Sequence, residues 1–273
     1  MKKNKSLLLS GPYILFMVIF TLIPLGVVLY YALTDVETGA FSLENMENLV
    51  LYLPAFGRSI LYSLVSALIC LLIGYPVAYY MAHCGPTAQR FLYMLVMLPM
   101  CMSFLLRTLA WVGLLQDTGI INNFLDSVFG FRLSLIRTPG AVILGMVYNY
   151  LPYMILPLYS IIVKIDHRLI EAAEDLGCNG LQVFGRVILP LSMPGILSGI
   201  TMVFVPAVST FYISNKLGST ETVLIGDIIE RQFKQGDNAN MGAALSLLLM
   251  VLVFVCTGIM NRFGGDEEGG VLV

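Results

Sequence analysis

Aromatic and polar side chains are unevenly spread along this sequence. Trp111 stands alone. Tyr148, Asn149, Tyr150 and Tyr153 crowd one stretch, and Ser209, Thr210, Phe211 and Tyr212 are consecutive. Asp227 and Glu230 are three apart, so they share a face if their segment is helical. The face of an aromatic ring attracts a cation through its quadrupole, and carboxylates or amides complete the holding site. The chemistry these groups allow is noncovalent: a path that holds a cation weakly near an outer gate. Plainer roles stay open, namely an aromatic belt at the membrane boundary for Tyr and Trp and a solvated loop face for Asp227 and Glu230.

Covalent chemistry has no constellation to carry it. The two histidines, His83 and His167, have no Asp, Glu or Cys set at metal-ligand spacing, and no metal site is expected. Cys70, Cys84, Cys101, Cys178 and Cys256 are far apart, odd in number and without a CxxC pair, so they read as small core residues. No Gly-x-x-x-x-Gly-Lys-Ser/Thr occurs, so ATP would have to be bound by other subunits. No catalytic residue and no enzyme activity are expected.

The elements that must position these groups follow from composition. Of the 273 residues 58% are hydrophobic and 12% charged, with a mean hydropathy of +0.86. That is half the charge of an ordinary soluble domain, so lipid is the main solvent. With 15 Lys+Arg against 17 Asp+Glu there is no basic excess for nucleic acid. A span of about 30 Å of hydrocarbon needs about 20 apolar residues. Six runs satisfy this, at about 8–33, 59–82, 91–115, 140–163, 191–214 and 239–261. Their apolar residues are contiguous rather than alternating, which predicts an all-α membrane protein and not a β-barrel. The first run is too long for a signal peptide and reads as a retained helix. The six spans form a single transmembrane domain, 1–263, and the Gly-rich acidic stretch 264–273 reads as disordered.

Lys2, Lys3 and Lys5 precede the first span and no Lys or Arg follows it until Arg58, which puts both termini in the cytoplasm. Prolines 24, 76, 99, 152, 157, 194 and 206 fall inside the spans, as suits a moving or cavity-lining bundle as well as ordinary packing kinks. Arg107 sits inside the third span. A fixed cation there would repel a cationic solute, so it is expected to be structural, snorkelling outward or paired with a carboxylate or with helix C-terminal carbonyls.

The cytoplasmic loop 164–190 is no linker. Leu169, Ile170, Ala173 and Leu176 recur at helical spacing, Gly177 and Gly180 break the pattern, and a second short helical stretch runs to Pro190. A helix–turn–helix with an apolar face and no core needs a partner surface. Glu171, Glu174 and Asp175 on its polar face suit a protein groove better than a lipid surface.

Glu171-Ala172-Ala173, Gly177, then Val187-Ile188-Leu189-Pro190 resembles the EAA loop of ABC importer permeases, with Val187 where Ile is usual. Arg107-Thr108-Leu109-Ala110-Trp111 with Gly119-Ile120-Ile121-Asn122, Tyr148 through Tyr159, and Leu224 through Phe233 are similar to the spermidine/putrescine permeases, most like the first of the two paired subunits, with Asp227 where Asn is common. The resemblance covers roughly residues 7–261. It implies a coupling helix carried by Glu171, Ala172, Ala173, Gly177, Leu189 and Pro190. It also implies a second permease, two ATPase subunits that bind ATP and Mg, an external polyamine-binding protein and a place in the bacterial inner membrane. A permease for an amino acid, thiamine, iron or an anion is the alternative. A stand-alone secondary transporter fits less well, because no carboxylate lies within a span.

Overall fold

The structure is a computed structural model that describes residues 13, 15–35, 39–42, 44–234 and 238–264. The expected acidic tail lies outside the described residues from 265 onward, as do the first residues of the first expected span. Helices dominate, and among the described residues the sole β feature is an isolated antiparallel bridge, Thr34 with Phe41. Among the described residues six helical stretches are long and apolar enough to cross a membrane: Leu15–Ala32, Asn45–His83, Phe104–Phe129, Pro139–Ile162, Gly180–Val208 and Ala239–Met260.

The helices used below are α1 (Ile23–Ala32), α2 (Leu53–His83), α3 (Pro86–Met97), α4 (Phe104–Leu115), α5 (Ile120–Phe129), α6 (Pro139–Ile162), α7 (His167–Asp175), α8 (Gly180–Val183), α9 (Leu189–Val208), α10 (Tyr212–Leu217), α11 (Ile225–Lys234) and α12 (Ala239–Gly264). The expected third span differs from what is observed. It is not one helix: α3 ends in a 3-10 turn, Leu98–Cys101. Met102 and Ser103 are extended, and α4 starts afresh at Phe104. Pro99 sits at the start of that 3-10 turn, where its missing N–H and rigid ring end the α-helical ladder. The fifth span ends at Val208, after Pro206, and residues 209–211 break the chain before α10.

Proline also explains the π-helical turns. Val18–Leu22 lies just before Pro24, and the N–H of Ile23 reaches back to the Val18 carbonyl. Phe184–Ile188 lies just before Pro190, and the N–H of Leu189 reaches back to the Phe184 carbonyl. A proline ring crowds the carbonyl four residues back, and bonding five back widens the preceding turn to make room.

The described chain forms two compact units, one of the residues up to Pro54 with Ile228–Leu252, the other of Ala55–Asp227 with the residues from Val253 onward. In the first, the end of α1 is tied by amides: Asn45 and Asn240 both donate from Nδ2 to the Thr34 carbonyl, at 3.0 and 2.7 Å. Ala32, Ala243 and Ala244 pack beneath it with Val28, Met46, Leu49 and Leu247.

In the second unit the core is built on α6, whose Val142, Met146, Met154 and Leu158 are fully buried. Lipid tails are as apolar as these side chains, so close packing, not the hydrophobic effect, must hold the helices together. Small residues permit it. A Cβ on Gly74 of α2 would meet Met154 Cγ at 3.1 Å, and one on Gly199 of α9 would meet Met154 Sδ at 2.6 Å. Met154 therefore fills the space that two glycines leave open. Gly145 makes the same room for Leu217 and Ile213, and Gly195 for Ile161. At Gly226 the neighbours are backbone: a Cβ would lie 2.5 Å from the Thr210 carbonyl oxygen and 2.8 Å from that of Ser209.

A flexible thioether yields and a carbonyl does not. Gly226→Ala should therefore lower the stability of the detergent-purified protein by about 1–3 kcal/mol, the range for forced overpacking. Gly199→Ala should cost less. Thermal unfolding of the two variants checks this, and equal losses would refute the distinction.

Candidate functional site

The aromatic residues meet where the helices break. Phe104, the first residue of α4, stacks on Tyr150 of α6 with ring centres 6.4 Å apart and lies 6.3 Å from the Tyr212 ring of α10. Tyr153 stands 6.3 Å from Tyr150. The Tyr150 hydroxyl donates to the Pro206 carbonyl at 3.3 Å. Tyr212 already carries a cation, since the Lys216 ammonium lies 5.9 Å from its ring centre. The structure thus brings Tyr150, Tyr153 and Tyr212 together around Phe104, which the sequence reading passed over. No spacing rule could have found Phe104, because its place depends on the break at Met102–Ser103. Trp111 and Tyr148 form a separate edge-to-face pair at 5.4 Å.

The remaining path candidates are placed as follows. Asn149 is buried and donates from Nδ2 to the Gly145 carbonyl at 2.9 Å, while its Oδ1 has no hydrogen-bond partner among the described residues. Thr210 is buried and Phe211 exposed. Asp227 is buried, and its Oδ2 accepts from the Leu224 N–H at 3.0 Å. That is an acidic side chain reaching back to close the start of α11, helped by Ser59 Oγ, which accepts from the Ile225 N–H at 2.9 Å. Glu230 pairs with Lys234 at 2.6 Å.

Arg107 differs from the expectation of a snorkelling or paired cation. It is 6% exposed, and its Nε and Nη1 are buried without an acceptor among the described residues. Helix α4 turns it inward, so the aliphatic stem does not carry the charge to water.

The second feature is the segment 166–190, in which α7 is capped at both ends and α8 at its start. Asp166 accepts from the Arg168 N–H at 3.0 Å and starts α7. Gly177, at φ +84°, ends it: the Gly177 N–H donates to the Glu174 carbonyl (2.8 Å) and the Cys178 N–H to that of Ala173 (3.1 Å). This is a Schellman turn, and it needs the left-handed conformation that glycine adopts freely. Asn179 and Gln182 then cap each other reciprocally at 2.9 Å and start α8. The Asn-x-x-Gln and Asp signals stand in the sequence and define both helix starts.

Of the motif residues, Glu171, Ala172, Leu189 and Pro190 are exposed and Ala173 is half-buried. Ile170 turns toward the bundle and lines a pocket with Tyr79, Ile162, Ile165 and Ile188. There the chain's two histidines meet edge-to-face, with ring centres 5.7 Å apart. His83 Nδ1 lies 2.8 Å from the Tyr79 carbonyl oxygen. The outer side is apolar and uncovered: Leu176 and Leu181, either side of the turn, are 86% and 85% exposed.

Six helical stretches among the described residues are apolar enough to span, and an aromatic cluster lies beside breaks in two of them, so the chain is a membrane protein of the multi-span class. Residues 74–264 match the family described as binding-protein-dependent transport system inner membrane component, and the chain belongs to that family. It is a multi-pass inner-membrane permease subunit. It is 39% identical over 255 residues to the spermidine/putrescine transport system permease protein PotB of Haemophilus influenzae, covering 90% of this chain and 89% of that one. Against the protein of the same name from Escherichia coli K12 it is 38% identical over 217 residues, 78% of this chain and 79% of that one. Its fold matches a chain of a bacterial ABC transporter that imports the polysaccharide alginate, with TM-score 0.76, 18% identity and 98% and 99% of the two chains covered. It also matches the methionine transporter MetNI in inward-facing form, with TM-score 0.61, 19% identity and 79% and 95% covered.

A buried guanidinium with two nitrogens unpaired among the described residues is costly, and replacing it by an apolar side chain of similar length should recover about 1–4 kcal/mol. Arg107→Met is expected to raise the unfolding temperature of the purified chain. A fall instead would show that the guanidinium is satisfied by water or another subunit.

Proposed function

We propose that this chain is one half of the translocation path of an ATP-driven importer of polyamines. Its partners are a second permease, two ATPase subunits that bind ATP and Mg and carry out hydrolysis, and an external polyamine-binding protein. The reading rests first on likeness over nine-tenths of the chain to a spermidine/putrescine permease. The geometry that supports it best is the rigid helix pair His167–Asp175 and Gly180–Val183, which presents Leu176 and Leu181 outward on either side of the Gly177 turn. A pair of bare leucines on a doubly capped turn is a knob without a hole. An ATPase groove supplies the hole, and the caps let the knob push without fraying.

The histidine contact and the Ile170 pocket join this knob to the ends of α2 and α6, so movement of the knob is passed to α6, the helix that carries Tyr150 and Tyr153. Both termini and this loop then lie on the cytoplasmic side. The ring faces of Phe104, Tyr150, Tyr153 and Tyr212 suit a flexible polycation with an apolar spine.

The complex reconstituted in lipid with its ATPase, second permease and binding protein is expected to hydrolyse ATP faster with spermidine or putrescine, and not with amino acids or anions. Leu176→Asp with Leu181→Asp, and Glu171→Ala, should abolish that stimulation. Phe104→Leu and Tyr212→Leu should raise the half-saturating polyamine concentration about twofold to thirtyfold, the span of one cation–π contact. Stimulation by another solute would overturn the polyamine reading and leave the permease reading standing. Failure of any ATPase to co-purify would overturn both.

A further inference from the structure

The stretch Phe104–Phe129 is apolar enough to cross a membrane by length and composition, yet it does not run straight. Gln116 and Gly119 are extended, and between them the chain turns sharply. A Cβ on Gly119 would fall 2.5 Å from the Leu114 carbonyl oxygen and 2.8 Å from those of Gln116 and Gly113. The two halves, α4 of 12 residues and α5 of 10, rise about 18 and 15 Å. Neither reaches across about 30 Å of hydrocarbon alone.

Helix α5 sorts its residues three ways rather than two. Ile121, Asn122 and Leu125 turn inward. Asn123, Asp126 and Ser127 form an exposed polar side, on which Asp126 pairs with Arg132 at 3.0 Å. Ile120, Phe124 and Val128, four residues apart, form an apolar row left 71%, 62% and 56% exposed. The row lies beside the polar side rather than opposite it. Its orientation is fixed, because Asn122 is fully buried and holds Leu133 at both N–H and carbonyl (2.9 Å each). Asn122 Nδ2 also donates to the Gln116 carbonyl at 3.3 Å. The helix cannot roll about its axis without breaking these bonds.

A helix with one side on protein, one apolar side bare and one polar side bare has the environment of a membrane–water boundary. The preceding helix also leaves apolar side chains bare, at Leu105, Leu106 and Leu109. We propose that α5 is an interfacial membrane helix, lying in the headgroup region where α4 ends, with Ile120, Phe124 and Val128 dipped into the acyl chains. Its partner is the bilayer itself, not the second permease or the binding protein. The helix then anchors the end of the broken third span at a set depth, so that the helix break at Met102–Ser103 keeps its height in the membrane.

The test places a benzoylphenylalanine photocrosslinker at Phe124, at Val128 or at Asn123 in the full complex, held in nanodiscs of dioleoyl phosphatidylcholine, with and without binding protein. Mass spectrometry reads the adducts. Lipid adducts at positions 124 and 128, several-fold above those at 123 and unchanged by binding protein, are the expected result. Adducts to the binding protein or to the second permease at 124 and 128 would overturn the proposal, as would lipid adducts no higher than at 123. A second readout uses Asn122→Ala, which releases the pin: lipid adducts at 124 should fall toward those at 123, and no change would remove the part of the argument that fixes the helix's roll.

Discussion

In a membrane, burying an apolar side chain against another helix gains little over leaving it in lipid, so everything rests on how closely the helices approach. Met154 is where that constraint is met. It is wholly buried on α6 and fills space left by Gly74 on α2 and Gly199 on α9. Gly145 repeats the device between α6 and α10, and Gly195 between α9 and α6. With these approaches in place, α6 carries Tyr150 and Tyr153 at a fixed distance from the ends of its neighbours, and the aromatic cluster follows.

The prolines then decide where the bundle is irregular. Each removes a donor, and the chain answers in one of three ways. Pro24 and Pro190 widen the preceding turn into a π-helix. Pro99 sits in a 3-10 turn, after which the helix stops. Pro206 keeps its place in α9 and offers its carbonyl to the Tyr150 hydroxyl. Irregular backbone at membrane depth is tolerated where protein or a cavity covers it. Phe104 and Tyr212 stand at such points, and Tyr150 reaches one of them from within α6.

Two uncovered surfaces have contrasting chemistry. Leu176 and Leu181 project from a capped turn flanked by Glu171, Glu174 and Asp175, which suits a groove in a protein. Ile120, Phe124 and Val128 sit next to a polar side that is itself exposed, which suits lipid beside water. Both are held by side-chain-to-backbone hydrogen bonds from asparagine or aspartate, so both are stiff enough to transmit or resist a displacement.

The sequence by itself determined the six spans, because contiguous apolar length is a one-dimensional property. It also determined the helix–turn–helix, because caps such as Asp166, Gly177 and Asn179 act on their near neighbours in the chain. The interruption of the third span at Met102–Ser103 was only half legible: Pro99 is visible, but a proline kinks or breaks according to what packs beside it. The partnership of Phe104 with Tyr150 and Tyr212 and the inward turn of Arg107 were decided by the tertiary structure alone. Each depends on residues distant in sequence or on the rotation of a helix about its axis. In an apolar span that rotation is set by the shape of neighbouring helices, and it leaves no hydrophobic period in the chain to read.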